Sequence, residues 1–291
     1  MRIRRMSKMM LVLVILFVRP FAVSSAQVIL QLWTEVYGTT NGEQLGNYVT
    51  GIASSANLPM RAAVSSVGST GVFSLQTQTD TSARQVYMGE NLLTGDLNND
   101  GYTDVAISKT VQGWDTVFVY WGTVSGIDTL NPLRIAGEFF LDGLKPSCIG
   151  DVNNDGKADL LLTAPEYPEP GSIGKIYVYL NPVMGNPPNG TLAGESISAG
   201  FGLACAIGDL NADGYNDLII RGSNQTGQES ERYDYLNVYW GIGKDSLNLN
   251  PGLRMKTKSI VVSSLACFDI NGDGVDDLIW TTQDSIPGPR Y

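Results

Sequence analysis

Residues 209–217 read Asp-Leu-Asn-Ala-Asp-Gly-Tyr-Asn-Asp, with carboxylates at positions 1, 5 and 9, an amide at position 3 and glycine at position 6. This spacing matches the first half of the calcium loop D-x-[DN]-x-[DN]-G. Ca²⁺ takes about six to eight hard oxygen ligands, so alternate side chains of one tight loop can bind the same ion. The bidentate glutamate expected at position 12 is absent, since Ile220 stands there, and residues 218–220 form an aliphatic run typical of a strand. The stretch therefore predicts a calcium loop in a β-hairpin.

The nonapeptide recurs three more times, so we number the copies in chain order. Loop 1 is residues 96–104, loop 2 is 151–159, loop 3 is 209–217 and loop 4 is 269–277. Their first aspartates are 55, 58 and 60 residues apart, and a period of this order indicates a repeat architecture. The alternative is a set of turns that bind nothing, because Asn, Asp and Gly favour turns in any case. A bare turn, however, does not need three carboxylates within nine residues.

The loops predict up to four bound Ca²⁺ ions, held by side-chain oxygens at positions 1, 3, 5 and 9 and by the backbone carbonyl at position 7. Water would complete each coordination shell. The predicted ligands are Asp96, Asn98, Asp100, Tyr102, Asp104, Asp151, Asn153, Asp155, Lys157, Asp159, Asp209, Asn211, Asp213, Tyr215, Asp217, Asp269, Asn271, Asp273, Val275 and Asp277.

The sequence around each loop predicts a unit of four short strands. In the unit of loop 3 we expect strand one at residues 199–208, strand two at 217–220, strand three at 235–241 and a weaker strand four within 247–256. Runs rich in β-branched and aromatic residues between Gly, Asn, Asp and Pro, with no helical period, indicate an all-β protein. Four strands per repeat is the composition of a β-propeller blade. Second-strand counterparts are residues 104–107, 159–162 and 277–280, and third-strand counterparts are 116–122 and 175–180.

The chain resembles the FG-GAP/VCBS repeats that build the seven-bladed propeller of integrin α-subunits and of many secreted bacterial proteins. The pattern F-G-x-x-x-x-x-G-D-x-N-x-D-G-x-x-D-L stands nearly intact from Phe201-Gly202 to Asp217-Leu218, and the third unit keeps Ala164-Pro165. Phe-Gly is missing before loops 1 and 4, and Ala-Pro is missing after three of the loops. The metal ligands are thus better kept than the packing motif.

This resemblance implies the domain organisation. Residues 27–85 would hold a clasp strand at 28–37 and a degenerate blade that lacks a metal loop, with its start at 42–51 and inner strands at 61–67 and 71–75. The calcium-loop blades would be 86–137, 138–193 and 194–256, and 257–291 would be an incomplete blade. Five blades are visible where similar proteins have seven, so we expect a truncated propeller. The alternative is that blades from another segment close the ring, because open sheets leave unpaired edges.

Residues 1–26 have the pattern of a cleavable signal peptide. A basic region containing Arg2, Arg4, Arg5 and Lys8 precedes an apolar run at 9–18, and small residues lie before the expected cleavage site ahead of Gln27. The apolar run is too short to span a bilayer. We therefore expect no transmembrane segment and a secreted protein, either extracellular or periplasmic.

Charge and composition exclude several functions. Removal of residues 1–26 leaves 14 basic against 29 acidic residues, a formal net charge of −15, which argues against nucleic acid as a partner. The chain has no histidine, which excludes Ser-His-Asp and Cys-His catalysis and histidine-ligated zinc. Cys148, Cys205 and Cys267 each lie just before a loop and are interpreted as small core residues rather than a disulfide framework.

Two functions remain open. The first is an adhesion or ligand-binding module, in which calcium is structural and an extracellular protein or glycan binds the inserts between strands two and three. Those inserts, at residues 109–115, 164–174 and 221–234, carry Trp114, Tyr167 and Tyr233 as candidate ligand-binding residues. The alternative for these aromatics is packing on their own blades. The second function is the propeller portion of a secreted carbohydrate- or lipid-active enzyme whose catalytic part is missing from this chain, and no catalytic residue is predicted here.

Overall fold

The structure is a computed structural model. It describes residues 91–124, 127–168, 171–182, 187–195, 200–224, 233–257 and 264–281 with their side chains, and elsewhere only the backbone of strands. The predicted signal peptide lies outside the described residues apart from the strand backbone at Leu16–Phe17. Residues 225–232 of the insert at 221–234 and residues 283–291 of the last predicted unit also lie outside them.

The described chain is all-β, and its strands form a series of antiparallel sheets, which confirms the predicted fold of four-stranded units. The first ribbon pairs β1 (Leu16–Phe17) with β2 (Gln31–Leu32). Sheet 1 contains β3 (Gln44–Ile52), β4 (Arg61–Val67), β5 (Val72–Thr77) and β6 (Asp80–Met88). Sheet 2 contains β7 (Glu90–Gly95), β8 (Asp104–Val111), β9 (Trp114–Tyr120) and β12 (Leu133–Ala136), with a small ribbon of β10 (Gly122–Thr123) and β11 (Gly126–Ile127) inserted after β9.

The later units repeat the same order. Sheet 3 contains β13 (Lys145–Gly150), β14 (Asp159–Ala164), β15 (Lys175–Tyr179) and β16 (Gly190–Ala193). Sheet 4 contains β17 (Cys205–Gly208), β18 (Asp217–Asn224), β19 (Tyr233–Tyr239) and β20 (Leu253–Lys256). Sheet 5 pairs β21 (Val262–Phe268) with β22 (Asp277–Thr282).

The first strands of successive sheets pack against one another in chain order, β3 on β7, β7 on β13, β13 on β17 and β17 on β21. The sheets therefore meet face to face, so their middle strands are covered on both sides. This is why β14 is buried along its whole length and its sequence is a continuous apolar run rather than an alternating one. The outer strands β16 and β20 are largely exposed, which explains the weak hydrophobic pattern of strand four.

The hydrophobic core consists of clusters between neighbouring sheets. Leu97 and Val119 of the sheet 2 unit pack with Leu160 and Tyr177 of sheet 3. The next cluster lies between sheets 3 and 4, and a smaller one joins sheet 4 to Leu265 and Leu278 of sheet 5. The three cysteines are free thiols on β13, β17 and β21 and belong to these inter-sheet clusters, with Cys205 buried and the other two half-buried.

Strand bounds differ from the sequence prediction in places. Strand one of sheet 4 begins at Cys205 and not at residue 199, because Gly200 and Gly202 have φ of +51° and +85° and turn the chain at Phe201. Strand four runs from Leu253 to Lys256, within the predicted range 247–256, whereas β6 continues to Met88, past the unit boundary predicted at residue 85.

Part of the predicted clasp strand at 28–37 is described. Its residues Gln31–Leu32 pair with Leu16–Phe17, and the rest lies outside the described residues. Within the described part of the chain, no helix is long and apolar enough to cross a membrane.

Candidate metal centres and the opposite face

Each numbered loop joins the first strand of its sheet to the second and is wrapped around its first aspartate. In loop 3, Asp209 accepts hydrogen bonds from the backbone N–H of Asp213 at 3.2 Å and of Gly214 at 2.8 Å. The carboxylate of Asp213 in turn accepts the N–H of Tyr215 at 2.9 Å. Loops 1, 2 and 4 make the same three hydrogen bonds. All four sequences therefore fold into one geometry, as their common spacing predicts.

Two positions of every loop have left-handed backbone. The glycine at position 6 has φ between +84° and +91°, as expected for a sharp turn. Position 4 is also left-handed, with φ of 58° at Asn99, 60° at Asn154, 59° at Ala212 and 80° at Gly272. Sequence reasoning missed this second requirement, although Asn and Gly at three of the four positions signal it.

The aspartate at position 9 braces the loop. One of its oxygens accepts the N–H of position 2 in all four loops, and in loops 1, 2 and 3 the other accepts an N–H just beyond strand three of the same sheet. The first contacts are Leu97–Asp104 at 2.7 Å, Val152–Asp159 and Leu210–Asp217 at 2.9 Å, and Ile270–Asp277 at 3.1 Å. The second are Gly122–Asp104 at 2.7 Å, Asn181–Asp159 at 3.2 Å and Gly241–Asp217 at 2.8 Å.

Burial is the main influence on the pKa of the aspartates at position 9 of loops 1, 2 and 3. It raises the pKa of Asp104 and of Asp159 to about 6 and also raises the pKa of Asp217, against the opposing backbone hydrogen bonds. In the exposed loop 4 the hydrogen bond from Gly274 is the main cause of a lowered pKa at Asp269. A cation placed against the buried carboxylates would favour their charged form.

The donor set of the loops fits a hard cation. Each loop offers carboxylate, amide and carbonyl oxygens, the ligand types that Ca²⁺ prefers. In loop 2 the side-chain oxygen Oδ1 of Asn153, at position 3, is buried without a hydrogen-bond partner, and the residue is only 5% exposed. A buried polar atom without a partner is costly, and an ion would satisfy it. Within the described ranges, no three acidic or cysteine side chains are close enough to hold a metal ion as they stand.

Two of the three predicted ligand-binding aromatics come together at the other end of the strands. Trp114 lies in the hairpin between β8 and β9, so it is at the end of β8 opposite loop 1. Phe139 and Phe140, in the connection from β12 to β13, link it to Tyr167 in the insert of sheet 3. The ring centroids are 6.3 Å apart for Trp114–Phe140 and 5.1 Å for Phe139–Tyr167, both edge to face. We call these four residues the aromatic surface.

Backbone contacts fix the aromatic surface in place. Gly113 has φ of +84°, and a Cβ there would overlap the ring of Phe140, so this position requires glycine. The N–H of Leu141 donates to the carbonyl of Gly113 at 3.1 Å, and the N–H of Gly143 donates to the Asp115 carboxylate at 2.8 Å. The surface therefore joins sheets 2 and 3 through hydrogen-bonded backbone. Trp114 is 44% exposed and Phe140 54% exposed, so both remain accessible.

Tyr233, the third predicted ligand-binding aromatic, has other neighbours. Its ring lies 6.4 Å from that of Tyr235, and the ammonium of Lys256 lies 4.2 Å above it. It begins β19 of sheet 4, and its contacts support the alternative of packing on its own blade. Tyr167 is also partly packed, since Lys175 lies 4.6 Å above its ring.

Sequence reasoning missed Phe139 and Phe140, because they lie outside the inserts between strands two and three. The available signal was two adjacent phenylalanines in a short segment with acidic residues, Glu138 and Asp142, at its ends. It also missed Asn216 and Asp276, the residues at position 8 of loops 3 and 4, which contact the preceding loop.

Comparison with known proteins places most of the chain in one repeat family. The model of the "FG-GAP-like repeat" matches residues 96–162, 151–220 and 209–280, and each match begins at the first aspartate of a loop. The matches overlap, so that together they run continuously from loop 1 into sheet 5.

Two kinds of relative are similar to the chain. Rat (Rattus norvegicus) phosphatidylinositol-glycan-specific phospholipase D is 33% identical over 144 residues, which is 44% of this chain and 17% of that protein. Human (Homo sapiens) integrin alpha-8 is 30% identical over 205 residues, 64% of this chain and 18% of that protein. Mouse (Mus musculus) integrin alpha-IIb is 33% identical over 147 residues, 46% of this chain and 14% of that protein. The matched part spans less than a fifth of the length of each of these relatives.

Proposed function

The chain belongs to the FG-GAP-like repeat family, whose repeats are propeller blades, and we propose that it is a secreted, calcium-stabilised module that binds an extracellular ligand. The observation that carries this proposal is the separation of two surfaces by the strands. The loops with the calcium spacing lie at one end of the second strands, and the exposed aromatic surface lies at the other. Metal and ligand would therefore bind the same blades without competing for residues.

In this proposal Ca²⁺ is structural. It would be held by the side-chain oxygens at positions 1, 3, 5 and 9 and the carbonyl at position 7. The ion supplies positive charge that neutralises the clustered carboxylates. Each loop joins strand one to strand two, so binding free energy at a loop absent from the unfolded chain adds to folding free energy. Extracellular calcium modules bind with dissociation constants of about 10⁻⁴–10⁻³ M, which suits a secreted protein.

Removal of calcium tests this part. A chelator should lower the melting temperature, and an unchanged melt would contradict a structural ion. Asp213→Ala should reduce bound calcium by about one ion per chain and destabilise loop 3. The matched control is Asp245→Ala, because Asp245 is an exposed aspartate outside the loops. Equal calcium content in both variants and the parent chain would mean that loop 3 is a bare turn.

The aromatic surface is the proposed ligand site. Exposed aromatics joined by hydrogen-bonded backbone provide large contact area at low entropic cost, which is how binding surfaces gain affinity. Its partner would be a glycan or an extracellular protein. An array carrying glycans and extracellular-matrix proteins should give hits that Trp114→Ala weakens. Trp280→Ala is the matched control, since Trp280 is equally exposed, at 44%, on sheet 5. Equal loss in both variants would contradict this placement of the site.

A second candidate is the propeller portion of a secreted enzyme that acts on a lipid or carbohydrate. The similarity to phosphatidylinositol-glycan-specific phospholipase D favours it. The two candidates differ in what else the protein contains. The coding sequence that follows Tyr291 distinguishes them, because a catalytic domain there favours the enzyme, whereas further blades and a surface anchor favour adhesion.

A further inference from the structure

The residue at position 8 of loop 3 reaches back to loop 2. The backbone N–H of Asn216 donates to Oδ1 of Asn154 at 2.7 Å, and its side-chain Nδ2 donates to the carbonyl of Asp151 at 2.8 Å. Asn154 returns a longer contact from its Nδ2 to the carbonyl of Asn216 at 3.5 Å. A further hydrogen bond from the unit of sheet 4 is donated by the N–H of Ser246 to the carbonyl of Asn153 at 3.0 Å. Loops 2 and 3 are thus joined by a small hydrogen-bond network.

The same position links loop 4 to loop 3. The N–H of Asp209 donates to Oδ2 of Asp276 at 3.0 Å, and the N–H of Asp276 donates to the carbonyl of Asp209 at 3.0 Å. A Cβ on Gly208 would lie 2.6 Å from that carboxylate oxygen, so glycine there permits the approach. The reciprocal pair resembles a step of a β-ladder built between two loops.

These contacts end on predicted ligands or on their immediate neighbours. Asp151 and Asp209 are position 1 of their loops, around which each loop is wrapped. Asn154 follows Asn153, whose buried Oδ1 has no hydrogen-bond partner. On the other side, Asn216 lies between the position 7 carbonyl of Tyr215 and the carboxylate at position 9. Binding of an ion that fixes the geometry of one loop therefore also fixes the hydrogen-bonded atoms of the neighbouring loop.

The link is interrupted between loops 1 and 2. Position 8 of loop 2 is Ala158, which has no polar side-chain atom with which to reach loop 1. Asn99, the counterpart of Asn154 in loop 1, is exposed. The residue at position 8 thus divides the four loops into two groups, loop 1 on its own and loops 2, 3 and 4 joined by hydrogen bonds.

We propose that loops 2, 3 and 4 bind Ca²⁺ as a coupled set and that loop 1 binds separately, with Asn154, Asn216 and Asp276 as the positioning residues. This inference rests on the proposed calcium function. An ion in loop 2 orders Asp151 and Asn154, these hold Asn216, and loop 3 is then presented in its binding geometry. By linkage, an ion in loop 3 raises the affinity of loop 2 by the same factor.

The test compares Asn154→Ala with Asn99→Ala in calorimetric titrations of the full chain with Ca²⁺ alone. Both residues occupy position 4 with φ near +60°, and Ala212 shows that alanine is accepted there with φ of 59°. Asn154→Ala removes both of its side-chain contacts to Asn216, so the affinity for part of the bound calcium should fall by about threefold to tenfold. The titration should also become less steep. Asn99→Ala should change neither quantity by more than about twofold, because Asn99 is exposed and no hydrogen bond to another loop is described for its side chain.

The outcomes are distinguishable. If Asn154→Ala titrates like the parent chain and like Asn99→Ala, the coupling is refuted while the calcium function stands. If the parent chain itself binds no Ca²⁺, the proposed function fails and the coupling fails with it. A merely structural role would lower the melting temperature in chelator without changing the steepness of the titration, which also overturns the proposal. Should Asn154→Ala not fold, Asn216→Ala is titrated in its place, because it removes the side-chain hydrogen bond to the carbonyl of Asp151 while its backbone contacts to Asn154 remain.

Discussion

Replacing Phe201 with alanine tests the packing of neighbouring sheets directly. The ring is 1% exposed and lies in the cluster between sheets 3 and 4, among Leu161, Ile176 and Leu218. Truncation of a buried phenylalanine removes its transfer free energy and leaves a cavity, and such changes cost about 3–5 kcal/mol. In a chain of this size about 1 kcal/mol shifts the melting temperature by 2–4 °C, so we expect a decrease of about 6–20 °C.

The surroundings of Phe201 have little room to relax. A Cβ on Gly174 would lie 2.5 Å from the backbone N and O of Phe201, so the neighbouring chain already touches it. The N–H of Phe201 donates to the carbonyl of Ile173 at 3.3 Å, and the N–H of Gly202 donates to the carbonyl of Arg221 at 2.8 Å. With its backbone held on two sides, the site cannot close around the missing ring, which places the expected cost towards the upper part of the range.

The measurement is equilibrium denaturation in urea, in buffer with calcium, followed by tryptophan fluorescence. Phe268→Ala is the matched control, because this phenylalanine of β21 is 50% exposed and its truncation should cost only about 1 kcal/mol. A cost below about 1 kcal/mol for Phe201→Ala, or equal costs for the two variants, would refute the packing described between sheets 3 and 4.

Three further substitutions can be measured in the same denaturation assay. Arg221→Ala should lower the free energy of unfolding by about 3–5 kcal/mol, because its guanidinium lies 2.9 Å from the carboxylate of Asp234, both groups are buried, and the variant removes the cation beside a buried carboxylate. A small effect would mean that the pair is hydrated. Glu138→Ala should lower the free energy of unfolding by less than about 1 kcal/mol, because the carboxylate is 45% exposed, although its salt bridge to Lys175 is also 2.9 Å long. An effect as large as that of Arg221→Ala would contradict this ranking. Gly241→Ala should lower the free energy of unfolding by about 1–3 kcal/mol, since a Cβ there would lie 2.5 Å from a backbone oxygen of loop 3. An unchanged free energy would show that loop 3 can shift to accommodate the methyl group.

The repeat signal made the strand order predictable, whereas strand ends depended on neighbours. Second strands begin at the position 9 aspartate in all four loop units, as the sequence predicts, because the loop and the apolar run that follows are both local patterns. The predicted start of strand one in sheet 4 was wrong, because the chain turns at Phe201 and packs its ring between two sheets. That requirement comes from packing and leaves no local period.

The candidate site divides in the same way. The four loops could be located from spacing alone because all the predicted ligands of each loop come from nine consecutive residues. Of the predicted ligand-binding aromatics, Trp114 and Tyr167 are joined through Phe139 and Phe140, which belong to a different connection. Tyr233 was grouped with them because it lies in an equivalent insert, but its neighbours are Tyr235 and Lys256.

The sequence by itself determined the repeat, the all-β class and the loop geometry, since each is set by residues close together in the chain. Only the tertiary structure decided which loops touch. Asn216 and Asn154 are 62 residues apart and meet because first strands of successive sheets pack side by side. The difference between a polar side chain at position 8 of loops 3 and 4 and alanine in loop 2 is plain in the sequence. Its consequence appears only when the sheets bring one loop against the next.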